Sequence, residues 1–159
     1  MRRLRNLLKE PIYKDDLKNV LLYGSLHMVL FGVLAGALQF FANAYLGLGF
    51  SLLLYLIAYM IGKEIRDRTF NYHIVYSMLS VLFFIVGYII YNVSFYSFVS
   101  HSPKIGLQYI FNTGYFMDIV FPFLKFKNYV GANAIYYILD IIILVFCILT
   151  AWNLPKYRK

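Results

Sequence analysis

The sequence predicts an all-α fold, a four-transmembrane-helix bundle with both termini cytoplasmic and a long aromatic outer loop between helices three and four. Three observations carry that prediction. Only 14% of the 159 residues are charged while 62% are hydrophobic, with a mean hydropathy of +0.67. A soluble domain of this size places about a quarter of its residues as Asp, Glu, Lys or Arg, so lipid must solvate much of this surface. Four apolar segments approach or exceed the ~20 residues that a helix needs to cross a bilayer core. The basic residues that flank those segments fall twelve on one side and three on the other. Helices are the expected form because lipid cannot satisfy an exposed backbone, and a β-barrel would alternate in polarity.

The chain reads as one integral membrane domain over residues 1–159. Residues 1–19 form a basic cytoplasmic segment, in which Leu4, Leu7 and Leu8 share a helical face among Arg2, Arg3, Arg5 and Lys9. That pattern fits a short helix on the inner leaflet, or a basic tail, ended or redirected by Pro11. The first span is expected over 20–41. Its apolar run of 22 residues exceeds the roughly 7–15 of a signal-peptide core, so Ala42-Asn43-Ala44 reads as part of a signal anchor rather than a cleavage site. Gly32-Val-Leu-Ala-Gly36 is a small-xxx-small motif that lets two helices approach closely, either within the chain or between copies.

The second span is expected over 44–61. Gly62 to His73 then reads as a short charged turn, in which Glu64 and Asp67 offset Lys63, Arg66 and Arg68. The third span is expected over 74–97 and the fourth over 134–152. The outer loop, 99–133, is long and not hydrophilic, since Leu107–Phe111 and Tyr115–Phe126 are largely apolar and aromatic. It fits either a cap over the outer helix ends or a shallow re-entrant helix. A fifth span is not expected, because Asn112, Thr113, Gly114, Asp118 and Pro122 interrupt the run.

Charge sets the orientation. Arg2, Arg3, Arg5, Lys9, Lys14 and Lys18 precede span one, Lys63, Arg66 and Arg68 follow span two, and Lys156, Arg158 and Lys159 follow span four. The opposite side holds only Lys104, Lys125 and Lys127. Lys and Arg concentrate on the cytoplasmic side, so both termini are expected there, in the cell membrane. The 16 Tyr and 15 Phe suit the aromatic belts of the membrane boundary. The net charge of +8 points to anionic head groups rather than nucleic acid, because no basic recognition helix or stacking motif accompanies it.

Ionisable groups in the lipid layer mark candidate sites. Asp140 lies in span four, on a stripe with Leu144, Cys147 and Ala151 whose small members suggest that it faces the bundle. Gln39 and Asn92 are expected at similar depth near the outer ends of spans one and three. Asp140, Gln39 and Asn92 could form a polar pocket for a cation, a proton or a polar head group, or serve as interhelical glue. His27 is expected to hydrogen-bond within the bundle, with His73 at the inner side and His101 outside. Three histidines in three places make no metal site. No phosphate loop, Cys-x-x-Cys or His-Glu-x-x-His occurs, so no cofactor is expected. The lone Cys147 reads as a packing residue, not a disulfide partner.

Two segments carry a resemblance. Leu56-Ile-Ala-Tyr-Met-Ile-Gly-Lys63 and Asp140-Ile-Ile-Ile-Leu-Val-Phe-Cys-Ile-Leu-Thr-Ala-Trp-Asn-Leu154 resemble span ends of small four-span bacterial membrane proteins without assigned function. The resemblance implies a fold and no activity. The functional expectations, in order, are an accessory or scaffolding subunit that binds another membrane protein, a small oligomeric transporter, channel or lipid-handling protein, and an intramembrane enzyme on a lipid-linked substrate.

Overall fold

The computed structural model describes residues 12–47, 53–100 and 132–156, with side chains of the last stretch from Ile138 onward. Among these residues the protein is all-helical. The helices are α1 (Lys14–Leu46), α2 (Leu54–Arg68), α3 (Ile74–Val99) and α4 (Ala132–Asn153), with a closing 3-10 turn at Leu154–Lys156. Three stretches are long and apolar enough to cross a membrane: α1, α3 and Ile138–Lys156. The loop read over 99–133 lies almost wholly outside the described residues, as does the basic segment before Ile12.

The helix ends follow local chemistry. Gly47 stops α1 with φ 64°, a left-handed conformation that glycine adopts freely, and its N–H returns to the carbonyls of Ala42 and Asn43. Asp15 and Asp16 lie in the first turn of α1, where negative charge suits the helix dipole. His73 caps α3, its Nδ1 accepting the Val75 N–H at 3.2 Å. Pro155 follows α4 and cannot donate the N–H that would continue it.

Two expectations are corrected here. The segment expected as span two at 44–61 is divided between two helices. Residues 44–46 complete α1, because the Asn43 carbonyl simply joins the helix end, and α2 begins at Leu54. Lys63–Arg68 is also not a solvated turn but the last turns of α2. Gly62 and Ile65 are buried on it, and Arg68 Nε donates to Glu64 Oε1 one turn back at 2.9 Å. Charge there decorates a helix end, and the true link to α3 is only residues 69–73. At 15 residues, α2 is roughly 22 Å long, short of the ~30 Å of a hydrocarbon core.

Contacts fix the helix directions. Along α1, Gly24 faces Phe83, Gly32 faces Gly87 and Ile90, and Gly36 faces Tyr91 and Ser94, so α1 and α3 run parallel. Arg68 lies over the Tyr23 ring and Glu64 reaches His27, so α2 runs antiparallel to α1. Tyr55 stacks on Phe146 and Gly62 meets Leu154, so α4 runs with α2. The start of α1, the end of α2, the start of α3 and the end of α4 therefore share one end of the bundle. That end holds Lys14, Lys18, Lys63, Arg66, Arg68 and Lys156. Each of α1 and α4 packs on both α2 and α3. The core between them includes Ile57, Ile61, Tyr76, Phe84, Cys147 and Ala151.

In lipid, close packing and interhelical hydrogen bonds replace the hydrophobic drive between helices. Ser94 Oγ crosses from α3 to the Val33 carbonyl at 3.0 Å. Ser77 Oγ donates to the Trp152 carbonyl at 2.8 Å, which leaves it accepting from Tyr72 at 3.0 Å. Ser94→Ala removes one such crossing. It is expected to lower stability by about 0.6 kcal/mol in a reversible unfolding titration in detergent micelles, the average measured for such bonds in membranes.

Candidate functional site

Two polar groupings come forward, one expected from sequence and one not. The expected set is Asp140, Gln39 and Asn92. Gln39 is buried on α1, one turn beyond Gly36 on the same face. Asn92 is half-buried on α3 and its Nδ2 donates to the Tyr88 carbonyl of its own helix at 2.9 Å. Asp140 is half-buried on α4, on the stripe that continues through the buried Cys147 and Ala151. Gln39 and Asp140 are both engaged with partners. They stand on helices whose packed seams are with α2 and α3. Gly32 and Gly36 are both buried in the α1–α3 seam, where the chain's own α3 fills the space a partner helix would need.

The second grouping lies toward the charged end, in the seam between α1 and α2. His27 Nδ1 is 2.8 Å from the Tyr23 carbonyl, and its Nε2 is 3.6 Å from Glu64 Oε2. The ring stacks on Phe31 with centroids 5.5 Å apart. Glu64 Oε1 accepts from Arg68 Nε at 2.9 Å, and the Arg68 guanidinium sits 3.8 Å from the centre of the Tyr23 ring. Further along, Asp16 Oδ2 accepts the Phe70 N–H at 2.9 Å and ties the start of α1 to the α2–α3 link.

Helix register explains the cluster. His27 and Tyr23 are one turn apart on α1, and Glu64 and Arg68 are one turn apart on α2. Antiparallel packing sets the two pairs side by side. Sequence reasoning missed this because Glu64 falls in a run that resembles a charged turn. The available signal was the Glu64/Arg68 spacing of four, the helix-stabilising order of acid before base.

The arrangement offers proton exchange and charge pairing. Nothing in it supplies a nucleophile beside a base. Among the described residues no group of three or more His, Cys, Asp or Glu lies close enough to hold a metal ion. Ser80 Oγ is buried without a hydrogen-bond partner.

No protein-family model, curated protein or solved structure matches the chain. The resemblance carried by 56–63 and 140–154 therefore stands on those segments alone.

Proposed function

We infer that the chain is a four-span protein of the cell membrane, with both termini cytoplasmic, that serves as an accessory or scaffolding subunit for another membrane protein. The up-down-up-down order of the helices and the six described cations at one end support that orientation. In this reading α2 is the short fourth span.

One observation carries the functional part. Several polar side chains within the helices are spent on fastening the chain to itself. Ser94 holds α3 to α1, Ser77 holds α3 to α4, and Asn92 closes on its own backbone. What is left outward is apolar: Leu22, Leu26 and Leu38 on α1, and Ile142, Phe146 and Leu149 on α4 are about half exposed or more. Such a body suits recognition of lipid and of other membrane helices better than chemistry. Because Gly32 and Gly36 are closed against α3, a partner would be met by these outer stripes or by loop 99–133.

The test is purification of the tagged full chain in mild detergent or nanodiscs. The reading expects a second membrane protein to co-purify at fixed stoichiometry, and Asp140→Asn to leave that complex intact. A chain that purifies only with itself, and whose reconstituted vesicles pass a solute in a manner abolished by Asp140→Asn, overturns it in favour of a small oligomeric transporter with a pocket at Asp140.

A further inference from the structure

The His27 cluster is not used by the accessory reading, and its geometry restricts where its protons lie. A carbonyl oxygen only accepts, so His27 Nδ1, at 2.8 Å from the Tyr23 carbonyl, carries a hydrogen. A neutral imidazole has one such hydrogen. Its Nε2 is then a bare lone pair, and it faces the carboxylate oxygen Glu64 Oε2 at 3.6 Å. Two acceptors oppose each other there, and one proton between them makes them complementary; because Arg68 holds Glu64 as a carboxylate, that proton belongs on Nε2.

We propose that His27 Nε2 is a proton-binding site in the α1–α2 seam, and that its occupancy tightens the clasp between α1 and the charged end of α2. The proton comes from water and bonds to the Nε2 lone pair. The ring gains one positive charge and no other bond changes. Glu64, held on one oxygen by Arg68 of its own helix, is then held on the other by His27 of α1. Without the proton, Glu64 belongs to Arg68 alone, and α2 touches α1 here through the Arg68–Tyr23 stacking and apolar packing.

Few polar and charged groups surround the imidazole. From α2 the charged groups are Glu64 and Arg68, with Asp67 acting on Arg68 from further away. From α1 itself they are the Tyr23 carbonyl and phenol ring, with Phe31 stacked behind. Among the described residues α3 and α4 contribute no hydrogen bond, ion pair or ring contact to the imidazole. The His27 and Glu64 side chains are 20% and 19% exposed. Arg68, at 42%, leads from them toward the charged end, so the proton has a way in.

The clasp is therefore completed by added acid and undone by added base. His73 provides an internal contrast: its Nδ1 accepts from the Val75 N–H, so its own neutral ring carries hydrogen on Nε2.

The experiment is nitrogen NMR of 15N-histidine-labelled full-length protein in nanodiscs, with thermal unfolding alongside. His27, assigned by its loss in His27→Gln, is expected to carry hydrogen on Nδ1 with a bare Nε2 at the basic end of an acid–base series, and hydrogen on both nitrogens at its acidic end. Wild type is expected to gain about 2–4 °C in Tm at the acidic end relative to the basic end over and above any change in His27→Gln and Glu64→Gln. Hydrogen on Nε2 at the basic end overturns the proposal. So does an identical pH dependence of Tm in wild type and both variants. If His27→Gln does not fold, loss of the other two signals in His73→Gln and His101→Gln assigns His27 by elimination, and the wild-type tautomer still decides.

Discussion

Gly36→Ala is expected to separate α1 from α3 and to lower stability by about 1–3 kcal/mol, the range for overpacking a filled interior. The reason is what the added methyl would meet. A Cβ at Gly36 would lie 2.5 Å from the Tyr91 carbonyl oxygen, 2.7 Å from Ser94 Cβ and 3.0 Å from Phe95 N. Two of the three are backbone atoms of α3 and cannot rotate away, so the helices themselves must move. Movement at this point also breaks the Ser94 to Val33 hydrogen bond three residues earlier on α1. Gly62→Ala is the control. The three atoms nearest its Cβ would all belong to the Leu154 side chain, at 2.8 Å for Cβ and 3.1 Å for Cδ1, so the closing 3-10 turn rather than the backbone of another long helix must shift. Reversible unfolding in mixed micelles should show the Gly36 variant clearly less stable than the Gly62 variant. Equal effects would mean that α1 and α3 are not held by this close approach.

Phe84→Ala is expected to cost about 2–3 kcal/mol. Phe84 is fully buried and among the largest side chains of the core. In a water-soluble protein the same truncation costs about 3–5 kcal/mol, part of it the loss of transfer from water and part the cavity left behind. Separated helices in lipid keep their apolar side chains out of water, so here mainly the packing and cavity part is lost. Unfolding measured in the same micelles checks the value. A cost near the top of the water-soluble range would show that the unfolded reference exposes Phe84 to water.

How much could be read from the residues depends on which interactions decide each element. The apolar runs at 74–97 and 134–152 each fall within one helix, α3 and α4, because continuous apolar composition is a local property. The stripe through Cys147 and Ala151 is buried, because small side chains at helical spacing fit only against another helix. Lys63–Arg68 could not be read so simply. Its charges match those of a turn, and its helicity rests on the Glu64–Arg68 pair and on packing of Ile65. Likewise, Asn43 looks like a helix break until the Gly47 cap behind it is considered. The His27–Glu64 pair was illegible for a different reason. It depends on the register between α1 and α2, which no local pattern specifies. Of the polar residues expected at the outer end, depth could be estimated from helix rise, but direction could not. Asn92 returns its amide to Tyr88 of the same helix, a choice that becomes visible only with side-chain rotamers.

The unequal lengths of the helices also bear on the bilayer itself. Beyond its charged start at Lys14–Asn19, α1 runs 27 residues from Val20 to Leu46, and α3 has 26, roughly 40 and 39 Å at 1.5 Å per residue. α4, at 22 residues, is about 33 Å, near the ~30 Å of a hydrocarbon core. Because Gly32 and Gly36 lock α1 to α3 side by side, these two cannot relieve their excess independently. They must tilt as one unit, project into the head groups, or thicken the lipid beside them, each at a fraction of a kcal/mol per ångström of mismatch. The edge formed by α4 asks for little of this. The protein thus presents a tall edge and a short edge to the same annulus of lipid, which favours thicker bilayers and places next to α1 and α3 the neighbours that share their height.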